Sequence, residues 1–113
     1  MNEDLYICKL SEISDPASRG FSVKKGDKDI EGFVVHQDGQ FFAYLNQCPH
    51  TGAPLDWVEH QFLDTDSALI QCAVHDARFD IRTGLCVSGP CVGDSLYQLE
   101  VEIRNDSLYL VLA

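Results

Sequence analysis

Four residues in two turn-rich stretches could do chemistry together. Cys48 and His50 stand one residue apart in "CPHTGAPL", a loop stiffened by Pro49 and Pro54, with Gly52 free to turn between them. Cys72 and His75 stand two residues apart in "CAVHD", and 21 residues lie between His50 and Cys72. Thiolates and imidazoles ligate iron and zinc, and each loop offers half of a four-ligand set. Three assignments compete. Unrelated polar side chains would require two of four histidines and two of five cysteines to fall by chance into short pairs. A structural zinc site accepts two thiolates and two imidazoles, but zinc fingers usually group cysteine with cysteine and histidine with histidine. A [2Fe–2S] cluster with both cysteines on one iron and both histidines on the other suits mixed loops, because each loop then straddles the two irons. The grouping favours the third assignment.

The pattern Cys-x-His followed by Cys-x-x-His resembles the Rieske family. "CPHTGAPL" looks like the family's first cluster loop, "CAVHDARFDIRTG" like the second, and "SGPC" (88–91) like the proline loop that closes over the cluster. The resemblance implies one [2Fe–2S] cluster per chain. Cys48 and Cys72 would bind the inner iron as thiolates, and His50 and His75 the outer iron as neutral imidazoles facing solvent. It also implies an all-β fold in which antiparallel basal sheets (1–45 and 92–113) carry an inserted cluster-binding subdomain (46–91), together one domain over 1–113.

Departures from the family's respiratory members sort the sequence further. Their extra loop cysteines are replaced by Ala53 and Val74, and their sulfur-bonding serine and tyrosine by Ala77 and Phe79. With neither hydroxyl to stabilise the reduced cluster, the potential is expected near the low end of about −150 to +300 mV. Nothing in these 113 residues reads as the respiratory proteins' N-terminal membrane anchor, so a protein without one is expected. These features resemble a Rieske-type ferredoxin, a non-catalytic carrier between a flavin-dependent reductase and a terminal oxygenase. The alternatives are a small subunit or accessory domain of a larger redox enzyme, like that of nitrite reductase, or a redox or iron sensor. A terminal oxygenase is not expected, since these 113 residues hold no room for a second, catalytic iron domain.

The elements that must position these loops read as short strands. "LYICKL" (5–10) and "GFSVKKG" (20–26) have strand composition, and two apolar runs in 29–46 flank an Asp38-Gly39 hairpin signal. "SALIQC" (67–72), "ARFDIRTGLCV" (77–87) with a Thr83-Gly84 turn, and "DSLYLVL" (106–112) continue the pattern. In "SLYQLEVEIRN" (95–105), Leu99, Val101 and Ile103 alternate with Glu100, Glu102 and Arg104, which predicts one half-buried strand. Asn105-Asp106-Ser107 would be the turn after it. The one helical signal is a single turn over "SDPAS" (14–18), capped by Ser14 or Asp15.

Composition sets the frame. A chain of 113 residues with 45% hydrophobic and 23% charged residues is one ordinary globular domain. A net charge of −10 argues against nucleic acid or an anionic membrane as partner. It serves solubility, or steers the chain onto basic docking faces of protein partners. No apolar run is long enough to span a membrane. An N-terminus opening on acids does not read as a signal peptide, so the expected location is cytoplasmic. There thiols stay reduced. Cys8 is therefore expected in the core, and Cys86 and Cys91 as buried thiols rather than a disulfide. His36 and His60 are expected at the surface, Leu55 and Trp57 against the cluster, and Asp76 as a solvated loop acid.

Overall fold

The structure is a computed structural model and describes residues 3–47, 62–63, 69–72, 77–89 and 92–112. Among the described residues ten strands follow in chain order: β1 (Glu3–Lys9), β2 (Ala17–Lys25), β3 (Lys28–Gln37), β4 (Gln40–Leu45), β5 (Leu69–Gln71), β6 (Arg78–Asp80), β7 (Cys86–Ser88), β8 (Gln98–Leu99), β9 (Val101–Arg104) and β10 (Ser107–Leu112). They form three antiparallel sheets, ordered β1-β10-β9, β2-β3-β4-β8 and β5-β6-β7. The all-β expectation holds.

The middle sheet is the centre of the molecule. Along β3, Phe33, Val34 and Val35 are all fully buried, so this stretch of the strand has no solvent face, while Lys28, Asp29 and Glu31 at its start are exposed. That is why it reads as a continuous apolar run rather than an alternating one. Phe33 and Val35 point into a core shared with β4 (Tyr44) and with the third sheet (Ile70, Phe79, Cys86), and Phe62 stacks on Phe33 at 4.3 Å. Val34 and Ala43 point the other way, into a second core with Cys8, Ile13 and Leu108. The expected core position of Cys8 is therefore observed, and burial pushes its thiol pKa up.

The hairpin signals are correct. β3 and β4 pair from Gln37↔Gln40 outward, and both Asp38 (φ 54°) and Gly39 (φ 75°) hold positive φ, as a tight two-residue turn demands. β9 and β10 meet in the same way around Asn105 (φ 49°) and Asp106 (φ 63°), so Ser107 already belongs to β10.

Three local expectations are corrected. The helical turn lies at Leu10–Glu12, as a 3-10 helix, and not over 14–18. Asp15 caps no helix. Its two carboxylate oxygens instead accept the backbone N–H groups of Asp38 (3.1 Å) and Gly39 (2.8 Å), bracing the β3–β4 turn. The single strand expected over 95–105 breaks at Glu100. β8 pairs with β4 and β9 with β10, so this segment passes from one sheet to the next, and Ile103 ends half-exposed at a sheet edge. His36 is not a surface residue. Its side chain is 17% exposed, stacked on Phe41, with Nδ1 3.0 Å from the Ile13 carbonyl and Nε2 3.6 Å from Asp15.

Candidate metal centre

The third sheet consists of three-residue strands, too short to stand alone. It is held by what it rests on. Tyr44, fully buried in β4, donates its hydroxyl to the Ile81 carbonyl at 2.6 Å and so ties the β6–β7 turn to the middle sheet. Burial, with the Asp80 carboxylate nearby, pushes the Tyr44 pKa up to about 12. Gly84 lies against that ring, where a Cβ would come within 2.7 Å of Cε1. Asp80 closes the turn by accepting the N–H groups of Arg82 and Thr83. On the outer side Arg82 reaches Gln40 (3.0 Å) and Asp38 (3.7 Å) at the β3–β4 turn.

Cys72 follows directly on β5 and is fully buried in the core with Ile70, Ala77 and Phe79. Its N–H donates to the Ala77 carbonyl at 2.8 Å, which closes the mouth of the segment containing His75. The stretch that begins the predicted proline loop meets the same place. Gly89 (φ +99°) lies so close to Ala77 that a Cβ would stand 2.7 Å from its Cα, so both backbone conformation and space require glycine. Sequence reasoning pointed to "SGPC" but missed Gly89 and the Tyr44 strut. The glycine before Pro90 was the available signal for the first, and nothing local signals the second.

Cys48, His50 and His75 lie outside the described residues, as do Leu55, Trp57, His60, Asp76 and Cys91. Among the described residues no group of three or more His, Cys, Asp or Glu side chains is gathered for a metal. What is described fits a [2Fe–2S] cluster on the second loop. A buried cysteine stands at a loop mouth pinned by a backbone bond, with a backbone-to-backbone contact shutting the third stretch against it. Ala77 and Phe79, both fully buried beside Cys72, offer no hydroxyl there. Cys86 is a free buried thiol whose Sγ donates to the Ser88 carbonyl at 3.3 Å. Among the described residues no helix is long and apolar enough to cross a membrane.

Sheet order, buried Cys72 and the two loop motifs together define a Rieske-type iron–sulfur protein. Residues 3–103 match the model of the Rieske [2Fe-2S] domain, and the chain belongs to that family. It is 29% identical, over 96% of its length and 94% of the relative's, to the 3-phenylpropionate/cinnamic acid dioxygenase ferredoxin subunit of Photorhabdus laumondii. It is 31% identical, over 87% and 84%, to the biphenyl dioxygenase ferredoxin subunit of a Pseudomonas species. Among solved structures it resembles the ferredoxin of carbazole 1,9a-dioxygenase from Nocardioides aromaticivorans, with TM-score 0.75 and 25% identity over 95% of both chains. A chain in a complex of reduced oxygenase and oxidised ferredoxin of carbazole 1,9a-dioxygenase matches with TM-score 0.73 and 26% identity, over 95% of this chain and 91% of that one.

Proposed function

We propose that this chain is a one-electron carrier that takes electrons from a flavin-dependent reductase and delivers them to a terminal oxygenase. It is an electron-transfer component and not itself an enzyme. The observation that carries this reading is the alignment of 96% of the chain with 94% of a dioxygenase ferredoxin subunit. Residues 46–91 would form the cluster-binding subdomain, with Cys48 and Cys72 holding one iron and His50 and His75 the other. When bound, the cluster accepts and returns a single electron without an open coordination position for substrate.

The chain's own residues set the terms of that exchange. Cys72 is held in an apolar core, and the Cys72–Ala77 and Gly89–Ala77 contacts hold its backbone in place, so little structure around Cys72 has to rearrange when charge changes there. With alanine and phenylalanine at 77 and 79, neither of these positions offers a hydroxyl to favour the reduced state, which moves the potential toward the low end of the range for such clusters, about −150 to +300 mV. The net charge of −10 would guide the carrier onto basic faces of its partners in the cytoplasm, an attraction that salt weakens.

Chemical analysis and spectroscopy test the reading directly. Anaerobically purified protein is expected to be red-brown, with roughly two irons and two acid-labile sulfides per chain, as the [2Fe–2S] type requires. The reduced form should give the low-average-g EPR signal of mixed histidine and cysteine ligation. Zinc without labile sulfide, or an all-cysteine EPR signal, would overturn the ligand assignment.

A further inference from the structure

We propose that Arg78 raises the reduction potential of the centre at Cys72, acting as a fixed and partly desolvated positive charge. The inference rests on the assignment of Cys72 as a cluster ligand.

Sheet register places the Arg78 backbone close to Cys72. Arg78 in β6 pairs with Gln71, the residue before Cys72, and with Ser88, the residue before Gly89. Paired strand residues have Cα atoms about 4.5–5.5 Å apart and successive residues 3.8 Å, so the Arg78 Cα lies within about 9 Å of the Cys72 Cα. On its chain neighbours' side the distance is no greater, since Ala77 accepts the Cys72 N–H. Ala77 and Phe79 face the core with Cys72, while Arg78 takes the opposite face of the sheet with Gln71 and Ser88. Its side chain is half-buried there, and Nε is sealed from solvent.

Charge composition makes this cation unusual. Residues 46–91 contain six acids (Asp56, Glu59, Asp64, Asp66, Asp76, Asp80) and two bases, Arg78 and Arg82. Arg82 is turned to Asp38 and Gln40, and its side chain is 56% exposed, where water and salt screen it. Arg78 is the base packed into the cluster-side sheet. A guanidinium stays protonated in both oxidation states. One electron arriving from an external donor adds one negative charge at the centre, and no charge on Arg78 changes in response. The Arg78 field therefore stabilises the reduced form more than the oxidised one, partly replacing the hydroxyls that positions 77 and 79 lack. Because Arg78 is partly buried, this attraction is less screened than one between surface charges.

A mediated redox titration of the full chain at neutral pH, with EPR of each reduced sample, tests the role. Arg78→Gln and Arg78→Met should each lower the potential by about 59 mV, a tenfold shift in a one-electron equilibrium. Arg78→Lys, which keeps the charge and loses the fork, should stay near the wild-type value. Arg104→Gln, a charge removed from the first sheet, should leave the potential unchanged. Neutral variants with an intact mixed-ligand signal and the wild-type potential would overturn the proposal. So would a Lys variant that falls as far as Gln, since shape and not charge would then matter. Loss of the cluster in both neutral variants would make Arg78 a structural residue and overturn the tuning role. A wild-type protein without the mixed-ligand signal would instead overturn the ligand assignment beneath it.

Discussion

The first and middle sheets are built to hold themselves together, and the third is not. β2, β3 and β10 run six to ten residues, and the β3–β4 and β9–β10 hairpins close through two-residue turns. β5, β6 and β7 are three residues each. What keeps the third sheet in place is a borrowed core: Phe33, Val35 and Tyr44 of the middle sheet form one cluster with Ile70, Phe79 and Cys86. The contrast has a physical reason. Loops that must present ligands on both sides of a cofactor cannot also be long, regular strands, so their precision comes from a rigid base and from the ligands themselves.

The sharpest way to break that comparison is to exchange equivalent atoms in the two regions. Cys8 and Cys72 are both buried thiols, one in each core. On the proposed ligand set, Cys72→Ser should abolish the cluster and loosen the third sheet, because a metal ligand there would also support folding. Iron content and the visible spectrum report the loss. Cys8→Ser should keep the cluster and lower stability by about 1–3 kcal/mol, the usual cost of burying a hydroxyl without a matched partner, as chemical denaturation would show. A cluster that survives Cys72→Ser with wild-type properties, or one lost in Cys8→Ser, would erase the distinction.

A smaller effect isolates the strut between the regions. Tyr44→Phe keeps the ring and leaves the buried Ile81 carbonyl without its donor, at a cost of about 1–3 kcal/mol. The loss should show as faster amide exchange in the β6–β7 turn, with the middle sheet unaffected. pH offers an independent check. An acid whose pKa is raised from 10.0 to about 12 by folding binds its proton more tightly in the native state. Its contribution is therefore complete below about pH 10 and is lost as pH rises through 12. Wild-type stability should fall across that window, and Tyr44→Phe should remove this part of the slope. An identical alkaline slope in both proteins would place Tyr44 ionisation outside the folding balance.

The smallest change sharpens the site alone. Phe79→Tyr and Ala77→Ser add hydroxyls next to Cys72, where a donor to sulfur is stronger when the cluster carries an extra electron. A difference of about 1 kcal/mol between oxidation states corresponds to roughly 40 mV in a one-electron couple. Both variants should shift the potential upward by tens of millivolts. An unchanged or lowered potential in both would mean that neither position faces sulfur.

Much of this protein is legible locally. Donor types and spacings at Cys48, His50, Cys72 and His75 point to the [2Fe–2S] family that the domain match shows, because donor chemistry is a property of side chains; which of the four bind iron is our proposal. The Asp38-Gly39 and Asn105-Asp106 turns are legible because positive φ is a property of single residues, and β10 because its alternation is uninterrupted. Only the tertiary structure decided where Glu100 hands the chain from one sheet to another, since a period-two pattern does not say which strand it pairs with. It also decided that the Phe33–Val35 stretch of β3 is buried on both faces, that Asp15 braces a turn 23 residues away, and that Tyr44 supports a carbonyl 37 residues away. His36 reads as a lone polar residue in the chain and becomes part of a packed contact only when Ile13, Asp15 and Phe41 are brought to it. Covalent neighbours fix conformation and chemistry residue by residue. Which surfaces meet depends on the summed burial of distant segments, which no short stretch of sequence contains.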